Sequence, residues 1–191
     1  MKLNLEFYNE NQPKEVSLQD EKIFEVLNNE NLEDVLEKDT SVNTYIHLSK
    51  VKENLLNWYE FKNTTSILEI GSNFGELVDF LHNKFKKVTL IEENIHKAKC
   101  IEKRFKDLDN IDLIVGNIEN INLEEKFDYI VISNFLERHS LENVMPQLKK
   151  YLKEDGTLLI AIDNKYGIKK WNGKGGYIGL SGKNKEFGEL E

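Results

Sequence analysis

The apolar positions of this chain change their spacing near residue 63. Before that point apolar residues recur at helical spacing, within 18–29, within 31–38 and most clearly within 49–61. After it the apolar residues form five short, nearly continuous runs rich in β-branched residues: 67–70, 88–91, 111–115, 128–132 and 157–162. Runs of this kind are typical of strands that are buried on both faces. The pattern therefore predicts a helical N-terminal part followed by a buried sheet.

Helical segments lie between the apolar runs, at about 75–86, 94–107 and 140–152. The alternation of strands and helices predicts a parallel sheet with right-handed crossovers, because each helix must return the chain to the same end of the sheet. Asp155-Gly156 predicts the turn into the fifth run, and Pro146 predicts that the last helix begins or bends close to it.

The N-terminal part gives two local predictions. Leu3, Leu5 and Phe7 alternate with polar residues, which leaves open either a short edge strand or a mobile segment. Ser49 is placed to cap a helix over 49–61. The apolar face of that helix would be made by Val51, Leu55, Leu56 and Trp58 or Tyr59. Its exposed face would be made by Lys52 and Glu53.

Composition narrows the class of protein. The chain has 191 residues, enough for one domain with a sizeable core. Its net charge of −8 argues against nonspecific binding to nucleic acid or anionic membranes. Cys100 is the only cysteine, which excludes an intrachain disulfide and a cysteine zinc cluster, so no metal is expected. Because no apolar run approaches the roughly 20 residues of a membrane span and no signal-peptide core is present, we expect a cytoplasmic protein.

The loop after the first run is the strongest candidate for a binding site. Ligands of an open parallel sheet bind beyond the carboxyl ends of its strands, and this loop has glycines at Gly71 and Gly75. A dinucleotide fingerprint would need glycine at Asn73 and Glu76, and a P-loop would need a following Lys-Ser or Lys-Thr pair. The loop instead fits acidic-x-Gly-x-x-x-Gly, in which Asn73 tolerates a positive φ. A tight turn without a ligand is the alternative.

This loop resembles the first motif of the class I S-adenosylmethionine-dependent methyltransferases, which reads acidic-x-G-x-G-x-G. The resemblance extends to Glu92, which follows 21 residues after Gly71 and would accept both ribose hydroxyls. The alternative is that Glu92 and Glu93 form a solvated strand end. In the same family an acidic residue or asparagine after the third strand meets the adenine amino group, a position held here by Asn117. The alternative there is a plain turn at Gly116-Asn117.

Two later stretches, "FDYIVISNFLERHS" and "LKKYLKEDGTLLIAI", also look like methyltransferase motifs, so the resemblance covers residues 66–163 in order. It implies a Rossmann-like parallel sheet with strand order about 3-2-1-4-5 and edge strands six and seven reduced or missing. It also implies S-adenosylmethionine as cofactor, with S-adenosylhomocysteine as product. The residues expected to contact the cofactor are Glu69, Gly71, Ser72, Asn73, Gly75, Glu92, Glu93, Asn117, Ile118, Ser133 and Asn134.

Three stretches, 45–61, 109–121 and 160–173, resemble a narrower bacterial group associated with surface-polysaccharide glycosyltransferases. This resemblance implies a glycan precursor, sugar or other small-molecule acceptor, and a glycosyltransferase as a possible partner. The chain departs from the group after residue 173, where it leaves room for one more strand at most, at 176–180. Either the sequence is shortened or the protein is a trimmed member, and part of the acceptor site would then be missing.

A hydroxyl acceptor needs a base, and two histidines are candidates. His139 follows the fourth run at the rim of the sheet, and His47 lies in a segment that could close over the cofactor; an ordinary loop or helix-entry histidine is the alternative for each. His82 and His96 are expected on the surface. Other rim residues could contact the acceptor: Asn134, Glu137, Asn164 and Tyr166.

These inferences divide the chain into a helical extension or lid (1–62), a cofactor-binding core (63–165) and a short tail (166–191). Two other functions stay open. Lysines and aromatic residues in the tail could bind RNA, which would make the protein an RNA methyltransferase. The short C-terminus and Asn73 would also fit a catalytically inactive module that binds the cofactor and docks onto a glycosyltransferase.

Overall fold

The fold is built on one parallel sheet. A computed structural model describes residues 1–10, 16–29, 32–38, 41–62, 64–133, 135–136 and 139–162. The six strands of the described sheet are β1 (Lys2–Asn4), β2 (Ser66–Ile70), β3 (Lys87–Glu92), β4 (Ile111–Val115), β5 (Phe127–Ile132) and β6 (Leu152–Ile160). Their spatial order is β1-β4-β3-β2-β5-β6, and every pairing is parallel.

The predicted order of the five core strands is confirmed, because β4-β3-β2-β5-β6 corresponds to 3-2-1-4-5. Of the two possibilities for the N-terminus, the structure shows the edge strand: Leu3 pairs with Leu113 of β4. Leu5 lies beyond this strand and is exposed. The strand considered at 176–180 and the tail 166–191 lie outside the described residues.

Helices flank the sheet and precede it. Their bounds are α1 (Leu18–Asn29), α2 (Leu32–Lys38), α3 (Val42–Leu48), a 3-10 helix (Lys50–Glu53), α4 (Asn54–Asn57), α5 (Val78–Lys84), α6 (Ile95–Phe105) and α7 (Leu141–Tyr151). Among the described residues, no helix combines the length and the apolar character needed to cross a bilayer.

The single helix predicted over 49–61 is wrong. Ser49 does cap a helix, since its side chain accepts a hydrogen bond from the N–H of Val51, but that helix is a short 3-10 turn followed by the four residues of α4. The predicted apolar stripe is also largely exposed, and only Leu56 is fully buried. Lys52, expected on the exposed face, has a side chain only 23% exposed. Short turns replace the long helix because this segment packs through polar contacts instead of through a continuous apolar face.

Three boundaries differ from the predictions. Helix α5 begins at Val78 instead of residue 75, because the preceding loop is made of turns. Helix α7 begins at Leu141, so Pro146 lies inside it. Asp155 and Gly156 do not form a separate turn before the strand, because they lie within β6. The pairing of β6 with β5 shifts register there, near Phe127.

The core has three parts. One face of the sheet packs against α5 and α6 around Leu77, Leu81 and Ile101, and the other packs against α7 around Val144 and Leu148. A third cluster joins the N-terminal helices to the loop after β2, through Ile23, Leu27, Leu48, Phe74 and Cys100. Because Phe74 belongs to that loop, the N-terminal extension is held directly against the candidate binding site.

Candidate functional site

The loop after β2 adopts a conformation that glycine and asparagine tolerate. Gly71, Asn73 and Gly75 have φ values of 82°, 52° and 81°. A Cβ atom on Gly75 would lie 2.6 Å from Cε2 of Phe105, so this position excludes a side chain by space as well as by φ. The positive φ predicted for Asn73 is confirmed. All residues from Gly71 to Glu76 are buried in this structure.

Glu92 lies directly against this loop. Its Oε2 accepts a hydrogen bond of 2.7 Å from the backbone N–H of Asn73, and its Oε1 accepts one of 2.9 Å from the N–H of Asn94. The side chain is buried, with the residue 3% exposed. The alternative of a solvated strand end is therefore wrong for Glu92. Each carboxylate oxygen has more than one lone pair, so these two bonds leave acceptor capacity at the same oxygens.

Glu69 is the most unusual group of the site. Glu69 is the next-to-last residue of β2 and is fully buried. Neither of its carboxylate oxygens has a hydrogen-bond partner of normal geometry among the described residues. Burial raises the pKa of Glu69 to about 8; the Ser72 hydroxyl lowers it in part, and the nearby carboxylates of Glu76 and Glu92 raise it further. A buried carboxyl that lacks a partner is costly to ionise, and a cationic group beside it would favour the ionised form.

Two further buried oxygens near Glu69 lack a hydrogen-bond partner of normal geometry among the described residues. They are Oγ of Ser72 and Oδ1 of Asn73, both in the glycine loop. Native proteins pair most buried polar atoms, so a cluster of unpaired acceptors next to a strand end indicates a place where a polar ligand binds. Ser72 and Asn73 were both predicted to contact a ligand.

The N-terminal extension reaches the loop through one buried carboxylate, Glu76. Its Oε1 contacts Nδ1 of His47 and accepts a hydrogen bond of 2.8 Å from Nδ2 of Asn73. Its Oε2 lies 3.3 Å from Nζ of Lys52. In the sequence, Glu76 only argues against a dinucleotide site, and Lys52 is predicted on a solvated helix face. No spacing rule joins residues 47, 52 and 76, so only the three-dimensional structure shows this cluster.

His139 and Glu93 meet at the rim, although they are 46 residues apart. Nε2 of His139 lies 3.1 Å from Oε2 of Glu93, and the imidazole stacks on the ring of Phe135 with centroids 3.9 Å apart. The Glu93 carboxylate and the Phe135 ring together fix the plane of the imidazole. His139 was predicted at this rim, whereas its partnership with Glu93 was not. Asn134 and Glu137, from the same loop, lie outside the described residues.

The loop after β4 is more ordinary than predicted. Oδ1 of Asn117, the oxygen expected to meet an adenine amino group, accepts a hydrogen bond of 2.9 Å from the N–H of Glu119, so the turn considered as the alternative is present. Ile118 is fully buried in the core cluster that packs on α7. A Cβ on Gly116 would lie 2.8 Å from the carbonyl oxygen of Phe7, which shows that the N-terminal segment covers this end of β4.

The remaining predicted residues have mixed environments. Ser133 is half-buried directly after β5, and His96 is exposed as expected. His82 is partly buried and its Nδ1 contacts Oδ1 of Asn110, so the expectation of a plain surface residue is wrong. Asn164 and Tyr166 lie outside the described residues.

Two cavities of the described structure lie away from Glu69 and Glu92. One, of about 280 Å³, is bounded by Lys2, Asp112 and Phe127 beside the edge strand. The other, of about 240 Å³, lies behind the glycine loop between Leu48, Glu76 and Arg104. Since the glycine loop itself is buried, a ligand that contacts it must displace covering residues.

Comparison with known proteins gives one family and several relatives. Residues 67–156 match the family described as "Methyltransferase domain". A malonyl-[acyl-carrier protein] O-methyltransferase of Priestia megaterium is 33% identical over 105 residues, which is 53% of this chain and 38% of that protein. A ribosomal RNA small subunit methyltransferase A of Borreliella afzelii is 24% identical over 133 residues, which is 63% of this chain and 47% of that protein.

Among solved structures, phosphoethanolamine N-methyltransferase 1 of Haemonchus contortus has a TM-score of 0.52 at 14% identity. The match covers 73% of this chain and 32% of that one, and that crystal contained phosphoethanolamine and S-adenosylhomocysteine. At this identity the likeness concerns the fold alone. The chain spans less than half the length of the two curated relatives. Residues 67–156 are therefore similar to the methyltransferase-domain family, and the parallel sheet that contains them has a Rossmann-like α/β fold, as the methyltransferase structure above does.

Proposed function

We propose that the protein is an S-adenosylmethionine-dependent methyltransferase that acts on a small-molecule or glycan acceptor. The observation that carries the proposal is that two buried carboxylates, Glu69 and Glu92, lie beside one left-handed turn. Glu69 lacks a hydrogen-bond partner of normal geometry among the described residues, and Glu92 binds the turn at Asn73. S-adenosylmethionine has a sulfonium and an ammonium group, and both are cations that would favour an ionised carboxylate next to them. The residues present therefore fit this cofactor better than they fit a pyrophosphate, whose negative charges would meet Glu69, Glu76 and Glu92.

In this proposal the cofactor contacts come from three strand ends. Gly71, Ser72, Asn73 and Gly75 would approach the methionine part, with Glu69 beneath them for the ammonium. Glu92 would accept the ribose hydroxyls with the lone pairs that Asn73 and Asn94 leave available. Support for the adenine contact is weaker, because Asn117 already bonds the N–H of Glu119 and Ile118 is buried.

The bound cofactor supplies an electrophilic methyl group, so the protein must orient the acceptor and remove its proton. His139 is the base that the geometry favours. If its Nε2–H donates to Glu93, Nδ1 retains a lone pair that can take a proton from a hydroxyl or ammonium group, and Glu93 stabilises the resulting imidazolium. His47, the other candidate base, also contacts a carboxylate through one ring nitrogen, but that carboxylate is Glu76 of the glycine loop, which ties His47 to the loop as well.

The acceptor is the least constrained part of the proposal. The three stretches that resemble the polysaccharide-associated group support a glycan precursor or sugar, a glycosyltransferase as partner, and a cytoplasmic location. The malonyl-[acyl-carrier protein] O-methyltransferase also supports a non-nucleic-acid acceptor. The domain bounds 1–62, 63–165 and 166–191 belong to the same proposal, with the first part as a lid.

An RNA acceptor is the second candidate, because a ribosomal RNA methyltransferase is among the relatives. The net charge of −8 argues against it, since RNA binding relies on neutralising phosphates with Lys and Arg. RNA binding that falls steeply with salt would support this candidate over a glycan acceptor. A module that binds the cofactor without transferring a methyl group remains the third interpretation, and only turnover separates it from the first.

Calorimetry with S-adenosylhomocysteine tests the proposal directly. We expect saturable binding to the wild type, and no competition by NADH, whose pyrophosphate the acidic loop disfavours. Transfer of a labelled methyl group to polysaccharide precursors but not to RNA would establish the acceptor class. Absence of S-adenosylhomocysteine and S-adenosylmethionine binding under conditions in which the protein is folded would overturn the proposed function.

A further inference from the structure

The glycine loop is held from two opposite sides, and one of those sides is the N-terminal extension. From the sheet, Glu92 binds the backbone N–H of Asn73. From the extension, His47 of α3 and Lys52 of the 3-10 helix both converge on Glu76. We call residues 41–57, which contain α3, the 3-10 helix and α4, the clamp segment.

Glu76 links the clamp segment to the one residue of the loop that carries a side chain in a left-handed conformation. Its Oε1 accepts the hydrogen bond from Nδ2 of Asn73, which has φ 52°. Nδ2 of Asn73 also lies 3.2 Å from Nδ1 of His47. Because Asn73 Nδ2 can only donate, and the His47 Nδ1 proton is directed at Glu76, both nitrogens are best described as donors to the same oxygen.

Burying the Glu76 carboxylate costs free energy, which argues that this arrangement has a role beyond packing. The Glu76 side chain is 1% exposed, and a buried carboxylate is tolerated only when cations and donors surround it. Apolar side chains would join the clamp segment to the loop at lower cost, as Leu48 and Phe74 already do nearby. A buried ion pair can specify one conformation at such a junction, and here the conformation concerned is that of Asn73.

We propose that Glu76 is a positioning residue through which the clamp segment fixes the glycine loop in its ligand-binding conformation. Residues that do not touch the cofactor, Lys52 above all, would then set the affinity for it. Because coupling between two sites is reciprocal, ligand binding at the loop would also order the clamp segment. This inference rests on the proposed function for the identity of the ligand, and it goes beyond it by assigning Glu76 and Lys52.

The 3-10 helix offers a matched pair of variants. Lys52 pairs with the buried Glu76, whereas Lys50, two residues earlier, lies 3.7 Å from the half-exposed Asp79 and has a side chain 74% exposed. Lys52→Met and Lys50→Met make the same change of charge and size on the same turn. We expect Lys52→Met to weaken S-adenosylhomocysteine binding about tenfold in calorimetry, a typical coupling between sites, and Lys50→Met to leave it within about twofold.

Two more measurements distinguish a role of Lys52 in positioning the glycine loop from a contribution to the stability of the fold alone. Lys52→Arg, which keeps the cation, should restore most of the affinity lost in Lys52→Met. Bound S-adenosylhomocysteine should slow hydrogen exchange at the backbone amides of Leu48–Glu53 in the wild type. Equal affinities of folded Lys52→Met and Lys50→Met would overturn the inference.

A wild type that binds no S-adenosylhomocysteine would refute the proposed cofactor without deciding this coupling. Hydrogen exchange of the ligand-free proteins then decides it. Faster exchange of the Ser72–Leu77 amides in Lys52→Met than in Lys50→Met supports the coupling, and equal exchange in the two variants refutes it. If Lys52→Met does not fold, Glu76→Gln provides the same comparison, because the amide keeps one acceptor oxygen for Asn73 or His47.

Discussion

The backbone N–H of Asn73 and the carboxylate of Glu92 are joined by a hydrogen bond of 2.7 Å across the carboxyl ends of β2 and β3. The same carboxylate also holds the N–H of Asn94, which caps the start of α6. Glu92 thus organises the loop after each of two adjacent strands. A residue proposed to bind ribose is also part of the scaffold that shapes the turn, so structural and binding effects of its replacement must be measured separately.

Replacing Glu92 by Gln is expected to affect stability and affinity together. An amide nitrogen in place of one oxygen would face a backbone N–H, which leaves a donor unpaired at a buried position. We expect the free energy of unfolding to fall by about 1–3 kcal/mol in urea titrations, and S-adenosylhomocysteine binding to weaken by a similar amount. Glu124→Gln, at an exposed position, is the control. Unchanged affinity in Glu92→Gln would show that the ribose is held elsewhere.

Glu69 is expected to lower the stability of the ligand-free protein as the pH rises. Burial raises its pKa to about 8 from 4.5, so the folded state holds the proton more tightly than the unfolded state. The resulting stability is present below about pH 4.5 and is lost progressively up to about pH 8. Glu69→Gln should therefore gain stability relative to the wild type as the pH rises from about 4.5 to about 8, by up to about 1.4 kcal/mol per pH unit, and should have no advantage below pH 4.

The same Glu69→Gln variant should bind S-adenosylhomocysteine more weakly, since the amide cannot neutralise an ammonium group. The measurement is urea unfolding at several pH values together with calorimetry. A stability difference between wild type and Glu69→Gln that does not change with pH would contradict burial of the Glu69 carboxyl as its cause.

Much of the fold follows from patterns that act locally. The five apolar runs identify the core strands because burial on both faces requires continuous apolar sequence, whereas their order came from the resemblance to class I methyltransferases. The positive φ of Asn73 also follows from the sequence, since few residues other than glycine accept it. The helix over 49–61 was predicted wrongly because its apolar spacing suits a helix face, while Ser49 caps a short 3-10 helix through Val51 and Lys52 pairs with Glu76 of the glycine loop.

The candidate site was only partly predictable, for a related reason. Rim positions follow from strand ends, so Glu69, Glu92 and His139 could be named from sequence. Contacts between rim residues and distant segments have no sequence period, so neither the Glu93–His139 pair nor the convergence of His47 and Lys52 on Glu76 could be derived. Asn117 is the opposite case. Its sequence position suggests a ligand contact, but its side-chain oxygen accepts a hydrogen bond from Glu119 within the same turn.

Asp128 is expected to support the fold at neutral pH but not in acid. Its Oδ2 accepts hydrogen bonds of 3.0 and 2.8 Å from the N–H and hydroxyl of Ser66, and Nζ of Lys153 lies 3.0 Å from its Oδ1. Burial alone would raise the pKa of Asp128, but the bonds from Ser66 and the Lys153 ammonium outweigh it and lower the pKa below 3.8.

Because the folded-state pKa of Asp128 is lowered, its stabilising contribution is present above the unfolded value and is lost as the pH falls through the folded one. Asp128→Asn should reduce the free energy of unfolding by about 1–3 kcal/mol near neutral pH, and the difference from wild type should shrink below pH 4. Asp112→Asn is the control, because Asp112 is half-exposed and its pairing with Lys87 spans 3.9 Å. Equal losses in the two variants would contradict the assignment.

Gly75 is expected to be the least replaceable position of the loop. Alanine there would hold a side chain at φ 81°, and its Cβ would lie 2.6 Å from Cε2 of Phe105 and 3.3 Å from Cγ1 of Ile101. The left-handed conformation costs about 1–2 kcal/mol and the overpacking about 1–3 kcal/mol, so Gly75→Ala should lose about 2–5 kcal/mol in urea unfolding.

Gly156→Ala provides the contrast for this prediction. Its Cβ would lie 2.8 Å from Cδ1 of Leu152, a flexible side chain, and 3.0 Å from the backbone carbonyl oxygen of Lys153, but Gly156 does not need a left-handed backbone. We expect a loss of about 1 kcal/mol or less. The clash at Gly75 involves α6, whose first turn Asn94 caps beside Glu92, so Gly75→Ala should also weaken S-adenosylhomocysteine binding while Gly156→Ala should not. A Gly75→Ala protein as stable as Gly156→Ala would mean that the loop relaxes into a different turn, and that the conformation described for Asn73 is not required for the fold.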